Sequence, residues 1–281
     1  MTEDLSAKHQ RMQSLLRDMQ RVVVAFSGGV DSTLVLKVAL DLLGRDNVLA
    51  ATGVSPSLAQ RERQSVIDLA SLLGANLELI ATSEMDDPRY TANAADRCFF
   101  CKSELYTRIT ELARSRGFLA VVNGANADDT GDWRPGMKAA DQWQVRAPLL
   151  EANLTKQDVR DLARELGLPN WDKPALACLS SRIAYGTPVT IGSLAQVEKA
   201  EAFLWDRGFA SFRVRHHGNL ARIEVAVADL PRLMQEPLRT ELLRRFREIG
   251  YTYVTVDLAG FRSGSGNEAI KPYERSSATR S

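Results

Sequence analysis

The sequence predicts an α/β protein, with a mostly parallel sheet covered by helices and a smaller α+β domain after it. Three observations carry this. Up to Asn123, short apolar runs alternate with longer runs of helical spacing. Strands and helices that alternate at this length require right-handed crossovers, which leave neighbouring strands parallel. The helical runs stop at Gly44, Gly74 and Gly117, where glycine closes a helix without strain. From Leu194 the order changes to helix, strand, strand, helix, strand.

Taken in order, Leu5 to Met19 has apolar residues at helical spacing and predicts a lead-in helix. Val22–Phe26 is a β-branched run and predicts a buried strand. Thr33–Leu43 predicts a helix, Val48–Val54 a strand, Leu58–Leu73 a helix and Leu77–Ile80 a third strand. Cys101–Arg116 predicts another helix and Ala120–Asn123 a fourth strand. "GANADDTGDWRPGMKAADQW" is rich in Gly, Asn and Asp and predicts a long loop. Thr155 is a candidate N-cap, with Asp158 three residues on in a capping-box pattern. An irregular, proline-bearing segment follows, and the domain boundary is expected near its end. Beyond it come a helix at Leu194–Arg207, strands at Ser211–His217 and Leu220–Val227, a helix at Leu230–Ile249 and a strand at Thr252–Asp257. The expected division is 1–188, 189–267 and a mobile tail over 268–281.

The chain has 281 residues, 44% of them hydrophobic and 25% charged, enough for a sizeable core. A formal net charge of +1 argues against general nucleic-acid binding. No apolar run approaches the roughly 20 residues of a membrane span, and the first residues are too polar for a secretory leader. A cytoplasmic protein is expected. Cys98, Cys101 and Cys178 cannot all pair within the chain, and disulfides are rare in that compartment.

Residues 27–32 read "SGGVDS" between a strand and a helix. Gly28 and Gly29 permit positive φ and a close backbone approach. Successive N–H groups in such a turn make an anion nest, and the helix start adds its partial positive charge. Ser27 and Ser32 supply hydroxyl donors. Phosphate is the expected guest. Neither the G-x-x-x-x-G-K-[ST] pattern nor G-x-G-x-x-G is present. The stretch S-G-G-x-D-S resembles the PP-loop of the ATP pyrophosphatase superfamily. That resemblance implies a Rossmann-like sheet of the adenine nucleotide alpha hydrolase type. It also implies ATP cleaved between its α- and β-phosphates, and AMP placed on a substrate oxygen. Asp31 would be a Mg2+ ligand, a role that suits a carboxylate oxygen. The adenosine is expected beside Val54 and Ser55.

What replaces the activated oxygen is left open by this turn alone. Nitrogen would make an amide ligase, sulfur a thiolation enzyme. Cys98 and Cys101 form a C-x-x-C pair near a helix start, where thiolate is favoured. Zinc would need a fourth ligand from among the histidines. Three thiolates could hold a 4Fe-4S cluster with one open iron. Three unrelated buried thiols are the plain alternative.

"VAFSGGVDSTLVLKVALDLLG", "GANADDTGDWRPGMKAA", "KPALACLSSRIAYGTPVT", "FRVRHHGNLARIEV" and "YVTVDLAGFRSGSGN" together resemble the LarE family over about Arg21 to Asn267. These are sulfurtransferases that act on pyridinium-3,5-biscarboxylic acid mononucleotide, toward a nickel-pincer cofactor. The resemblance implies that each carboxylate is adenylated, then attacked by sulfur and released as a thiocarboxylate. It also implies a nucleotide small-molecule substrate, a sulfide or other sulfur donor, and a homo-oligomer. One subtype sacrifices a single cysteine. The other has three that bind a 4Fe-4S cluster, and Cys98, Cys101 and Cys178 match it.

Arg213 and Arg215 are spaced i, i+2 on a predicted strand and so share a face. Two guanidiniums there suit a phosphate, which the resemblance makes that of the mononucleotide. Ser181 and Arg182 join the site by the same match. Asp128, with Asp129, Asn126 and Arg134, leaves the sheet at its active edge and could bind Mg2+ or orient substrate, with plain turn chemistry, which Asn, Asp and Gly favour, as the alternative. Glu201 and Glu224 resemble acidic residues near a metal or subunit interface. His216 and His217 would face opposite sides of a strand and make a poor metal pair. A thiolation enzyme for transfer RNA and a non-catalytic nucleotide or iron–sulfur sensor are the rival readings.

Overall fold

The computed structural model describes residues 3–131, 135–174 and 177–262. Arg134 and the tail expected over 268–281 lie outside them. In chain order the helices and strands are α1 (Glu3–Met19), β1 (Val22–Ala25), α2 (Val30–Leu43), β2 (Val48–Val54), α3 (Gln60–Leu72) and β3 (Asn76–Ala81). Next come α4 (Pro88–Thr91), α5 (Arg97–Ser115), β4 (Ala120–Val122), α6 (Pro135–Gln142), α7 (Pro148–Glu151) and α8 (Lys156–Glu165). The last are α9 (Ile191–Asp206), β5 (Phe212–His217), β6 (Leu220–Val225), α10 (Leu230–Leu233), α11 (Leu238–Ile249) and β7 (Tyr253–Val256).

The chain divides into two compact units. The first holds 1–55, 60–84 and 98–176; the second holds 56–59, 85–97 and 177–281. Composition suggests a boundary near residue 188, whereas packing starts the second unit at Ala177 and gives it two earlier segments.

In the first unit the strands lie in the order β3-β2-β1-β4, all parallel. Both faces of β1 are buried. Val22 and Val24 pack with Leu16, Leu34 and Leu162, from α1, α2 and α8. Val23 packs in a second cluster with Ile109 of α5 and Ala139 of α6. A strand covered on both sides needs apolar residues at every position, and "VVVA" supplies them. The α/β class expected from the sequence is the one observed.

Two local expectations are corrected. The loop expected after Asn123 contains α6, whose Ala139 and Ala140 are buried. Its glycine and aspartate content hides a short amphipathic run. The single helix expected over Leu230–Ile249 is broken into α10 and α11. Pro237 lacks an N–H and disfavours helical backbone at the residue before it, so the second helix starts after it. The capping box at Thr155 is present, with side chain and backbone bonds in both directions between Thr155 and Asp158.

In the second unit β5 pairs antiparallel with β6, and β6 pairs parallel with β7. Phe212, Val214, Ile223 and Val225 form its core with Phe203 and Leu204 of α9 and Phe246 of α11. His216 is buried against Tyr251, with Nδ1 3.2 Å from the hydroxyl, while His217 is exposed.

All three histidines of the chain, His9, His216 and His217, have pKa values lowered first by burial. The folded state therefore keeps them neutral, while the unfolded chain takes up protons as pH falls through the ordinary value of 6.5. Stability is full above that value and declines below it, until the folded-state values are passed. The melting temperature should fall between about pH 7 and about pH 5. His216→Gln keeps a partner for Tyr251 and should flatten part of that fall. An unchanged slope would show that His216 does not contribute.

Candidate active site

After β1 the chain turns through Phe26–Gly29 into α2. Gly28 has φ +72°, and a Cβ there would lie 2.9 Å from Val66 Cγ2. Glycine is thus required by both conformation and space. Gly29 caps α2 without a side-chain acceptor, so the first-turn N–H groups are left for another anion or for water. The turn is braced from within. Ser27 N–H donates to Ser32 Oγ at 3.2 Å, the two hydroxyls lie 3.1 Å apart, and Ser32 Oγ donates to the Gly29 carbonyl at 3.1 Å.

Asp31 sits on the first turn of α2. Its Oδ1 accepts from Asn126 Nδ2 at 3.1 Å and its Oδ2 from Lys156 Nζ at 2.5 Å. Asn126 is buried at 3% exposure and fixed by its neighbours. Its N–H donates to Asp129 Oδ2 at 3.1 Å and its Oδ1 accepts from Asp128 N–H at 3.0 Å. Asp128 in turn accepts the Lys156 backbone N–H at 2.9 Å. Asp128 therefore ties the segment after β4 to the start of α8. Gly124 lets that segment approach, since a Cβ there would fall 2.7 Å from the Ser32 nitrogen. Asn170 holds the far side of the turn. Its Nδ2 donates to the Gly28 carbonyl at 3.1 Å and to Thr33 Oγ1 at 3.0 Å. Sequence reasoning missed Gly124, Lys156 and Asn170. Lys156 and Asn170 contact the turn from more than a hundred residues away, with no local pattern to announce them.

The turn lies at the carboxyl end of the sheet, where β1 has β2 on one side and β4 on the other. The chain leaves β1 toward β2 and β3, then returns to place β4 on the opposite side. Such a reversal is where open parallel sheets bind ligands. Val54 ends β2, and its carbonyl accepts from Thr82 N–H at 3.1 Å. The hydroxyl of Ser55 donates to the buried carboxylate of Glu84.

In the second unit Arg182 makes a two-pronged pair with Glu201, Nε to Oε1 at 2.9 Å and Nη2 to Oε2 at 3.0 Å. Arg215 pairs with Glu224 in the same way, both bonds at 3.0 Å, and reaches the Ser181 carbonyl at 2.9 Å. Glu201 and Glu224, expected near a metal or subunit interface, are thus counter-ions of guanidiniums. Arg213 and Arg215 flank the core residue Val214 and share the opposite face of β5. Arg213 donates to the Phe212 carbonyl at 2.7 Å and lies 5.0 Å from the Phe261 ring centroid. Burial, then the Arg182 charge, push its pKa down to about 10.

Cys178 is exposed and precedes a short turn, Leu179–Arg182. Its carbonyl accepts from Ser181 N–H at 3.0 Å, Ser181 Oγ at 2.8 Å and Arg182 Nη1 at 2.9 Å. Behind it, the buried Ser180 hydroxyl lies 2.6 Å from the Tyr90 hydroxyl, and Arg97 donates to the Ser180 carbonyl at 3.0 Å. Cys98 and Cys101 stand one turn apart on α5, in the first unit. Among the described residues, no group of three or more His, Cys, Asp and Glu side chains is gathered to hold a metal ion. Cys98 and Cys101 thus belong to one unit and Cys178 to the other.

A family model described as NAD synthase matches residues 9–117, the part that contains the glycine turn. An uncharacterised protein of Synechocystis sp. is 43% identical over 266 residues, covering 95% of this chain and 99% of that protein. The pyridinium-3,5-bisthiocarboxylic acid mononucleotide synthase of Lactiplantibacillus plantarum is 42% identical over 266 residues, covering 95% of this chain and 96% of that one. The chain belongs to the LarE family. More distantly, an NH(3)-dependent NAD(+) synthetase of Halobacterium salinarum is 29% identical over 183 residues, 59% of this chain and 65% of that protein. The NAD synthase match thus includes β1 to β3 and the turn, while the match to the Lactiplantibacillus synthase covers 95% of the chain. No helix among the described residues is long and apolar enough to cross a membrane.

Proposed function

We propose that the chain is an ATP-dependent sulfur-inserting enzyme acting on pyridinium-3,5-biscarboxylic acid mononucleotide. ATP is cleaved between its α- and β-phosphates, AMP is placed on a substrate carboxylate and pyrophosphate leaves. Sulfur then attacks the activated carbonyl carbon, AMP departs, and a thiocarboxylate remains. The same steps serve the second carboxylate. The relative from Lactiplantibacillus is named for the bisthiocarboxylic product, which supports this substrate.

The observation that carries the reading is the glycine turn, uncapped at the start of α2 and bordered by Asp31. An uncapped helix start favours phosphate. Asp31 offers a carboxylate with one oxygen fixed by Asn126 and the other held only by a lysine, which suits a hard cation. Asp31 would hold Mg2+ there, and the ion would offset phosphate charge. The arginine cluster supports a second anion. Arg213 is acidified by burial and by Arg182, and a phosphate beside it would relieve that repulsion.

The finer part of the reading is the sulfur source. The C-x-x-C pair on α5 supports the three-thiolate 4Fe-4S version, because a single sacrificial cysteine leaves that pair without a role.

The test supplies ATP, Mg2+, sulfide and the biscarboxylate mononucleotide to the purified protein. Pyrophosphate and AMP are expected only with the carboxylate substrate present, together with a product whose mass reports oxygen exchanged for sulfur. Amide formation with ammonia would instead favour chemistry of the NAD synthetase kind. Nucleotide binding without pyrophosphate release would favour a sensor.

A further inference from the structure

We infer that Arg97, supported by Tyr90 and Asn93, is a positioning residue for Cys178, holding the turn that carries the thiol through buried groups. This rests on the reading of Cys178 as the residue through which sulfur is delivered, and it applies to either sulfur source.

The second unit takes in two stretches from earlier in the chain, one of them 85–97. That stretch meets the segment after Cys178 at several points. Tyr90 of α4 and Ser180 are both buried, and their hydroxyls lie 2.6 Å apart. Arg97, the first residue of α5, is only 3% exposed. Its Nη1 donates to the Ser180 carbonyl at 3.0 Å and also to Asn93 Oδ1. One guanidinium nitrogen thus bridges Asn93 and the turn. Asn93 commits its amide to the same segment, with Nδ2 donating to the carbonyls of Ala184 at 2.9 Å and Thr187 at 2.8 Å. It is fully buried and has φ +58°. Left-handed backbone in a non-glycine residue costs energy, and persists where the surroundings over-determine it.

The other side of the turn is held by different residues. Arg182 donates to the Cys178 carbonyl at 2.9 Å and Arg215 to the Ser181 carbonyl at 2.9 Å. Both arginines are themselves fixed by Glu201 and Glu224. Leu179 N–H donates to the Ser57 carbonyl at 2.9 Å. The two sets of contacts therefore divide the turn. The anion-cluster arginines fix Ser181 and Arg182, while Arg97 and Tyr90 fix Ser180. Between them stands an exposed thiol on a backbone tied from both sides. Attack on an acyl adenylate needs near-attack placement, and a displacement of about 1 Å can cost about a hundredfold in rate.

The experiment follows a single turnover on the full chain, with ATP, Mg2+, sulfide and the biscarboxylate mononucleotide supplied, and times pyrophosphate release and thiocarboxylate formation separately. Arg97→Gln removes the charge and the fork of donors. Thiocarboxylate formation should slow roughly ten- to hundredfold, while pyrophosphate release and the KM values for ATP and the mononucleotide stay within about twofold. Arg97→Lys should recover part of the rate, because its ammonium can still reach one of the two acceptors. Tyr90→Phe keeps the ring and removes only the hydroxyl beside Ser180. It stands in where Arg97→Gln does not fold, and should slow the same step by a smaller factor. Wild-type thiocarboxylate formation in both Arg97→Gln and Tyr90→Phe overturns the inference. An equal fall in pyrophosphate release and thiocarboxylate formation also overturns it, since that marks a role in the fold alone. Cys178→Ala tests the reading beneath: undiminished thiocarboxylate there removes Cys178 from the chemistry, whatever the Arg97 variants do.

Discussion

Asp31→Ala should abolish pyrophosphate release and leave the fold intact. The two halves of this outcome have different physical origins. Asp31 is part-exposed, and its bond to Lys156 is an ion pair at 23% and 30% side-chain exposure. Such pairs contribute about 0–1 kcal/mol to stability. An acid in the first turn of a helix adds about 0.3–1 kcal/mol more. The variant therefore loses little stability, and the core residues beneath, Val30, Leu34 and Val35, are untouched. Catalysis loses much more. The carboxylate is the group of the turn suited to hold a hard cation against the phosphates, and loss of such charge stabilisation costs about a hundred- to a thousandfold in rate. Removing Asp31 also leaves the Lys156 ammonium without its partner. The uncapped N–H groups of the turn still attract phosphate, so release of pyrophosphate, not nucleotide affinity, is the measurement that decides. Undiminished release, with melting behaviour like wild type, would remove Asp31 from the site.

The framework around this residue was legible because it is local. The run "VVVA" and the turn after it declare a buried strand and a phosphate loop within ten residues, and β2 spans the Val48–Val54 expected for it. Capping chemistry is also local, and Thr155 with Asp158 shows it. What stayed hidden is the set of contacts made across the fold. Lys156 meets Asp31 across 125 positions and Asn170 meets Gly28 across 142. No period or spacing encodes such meetings; they follow from the strand order β3-β2-β1-β4, which sets the segment after β4 beside the start of α2. Glu201 and Glu224 illustrate the opposite problem. The resemblance sets them near a metal or subunit interface, and the structure adds that each lies across from a buried guanidinium. A buried arginine needs a counter-charge, and only three-dimensional placement shows which carboxylate supplies it.

Cys178→Ala should end sulfur insertion and leave adenylation in place. Cys178 lies outside the glycine turn, in the second unit. Its three hydrogen bonds from Ser181 and Arg182 are to its carbonyl, not to sulfur. Alanine therefore keeps the backbone in position, and the thiol, exposed in the structure, is the only group removed. Pyrophosphate should still be released, while thiocarboxylate is absent. Intact thiocarboxylate formation would remove Cys178 from the chemistry. The parallel changes at Cys98 and Cys101 separate the two sulfur sources. If three thiolates share a cluster, each change should remove iron and sulfur insertion together, and sulfide supplied in solution should give wild type more than one product sulfur per protomer. If Cys178 is sacrificed, Cys98→Ala and Cys101→Ala should retain one turnover. In that case Sγ attacks the acyl adenylate and AMP leaves. The Cys178 Cα proton is then lost as the Cβ–Sγ bond breaks, leaving dehydroalanine and the thiocarboxylate. Mass spectrometry of the spent protein reads the difference directly, as an intact Cys178 under the cluster route or a Cys178 short by the mass of hydrogen sulfide under the other.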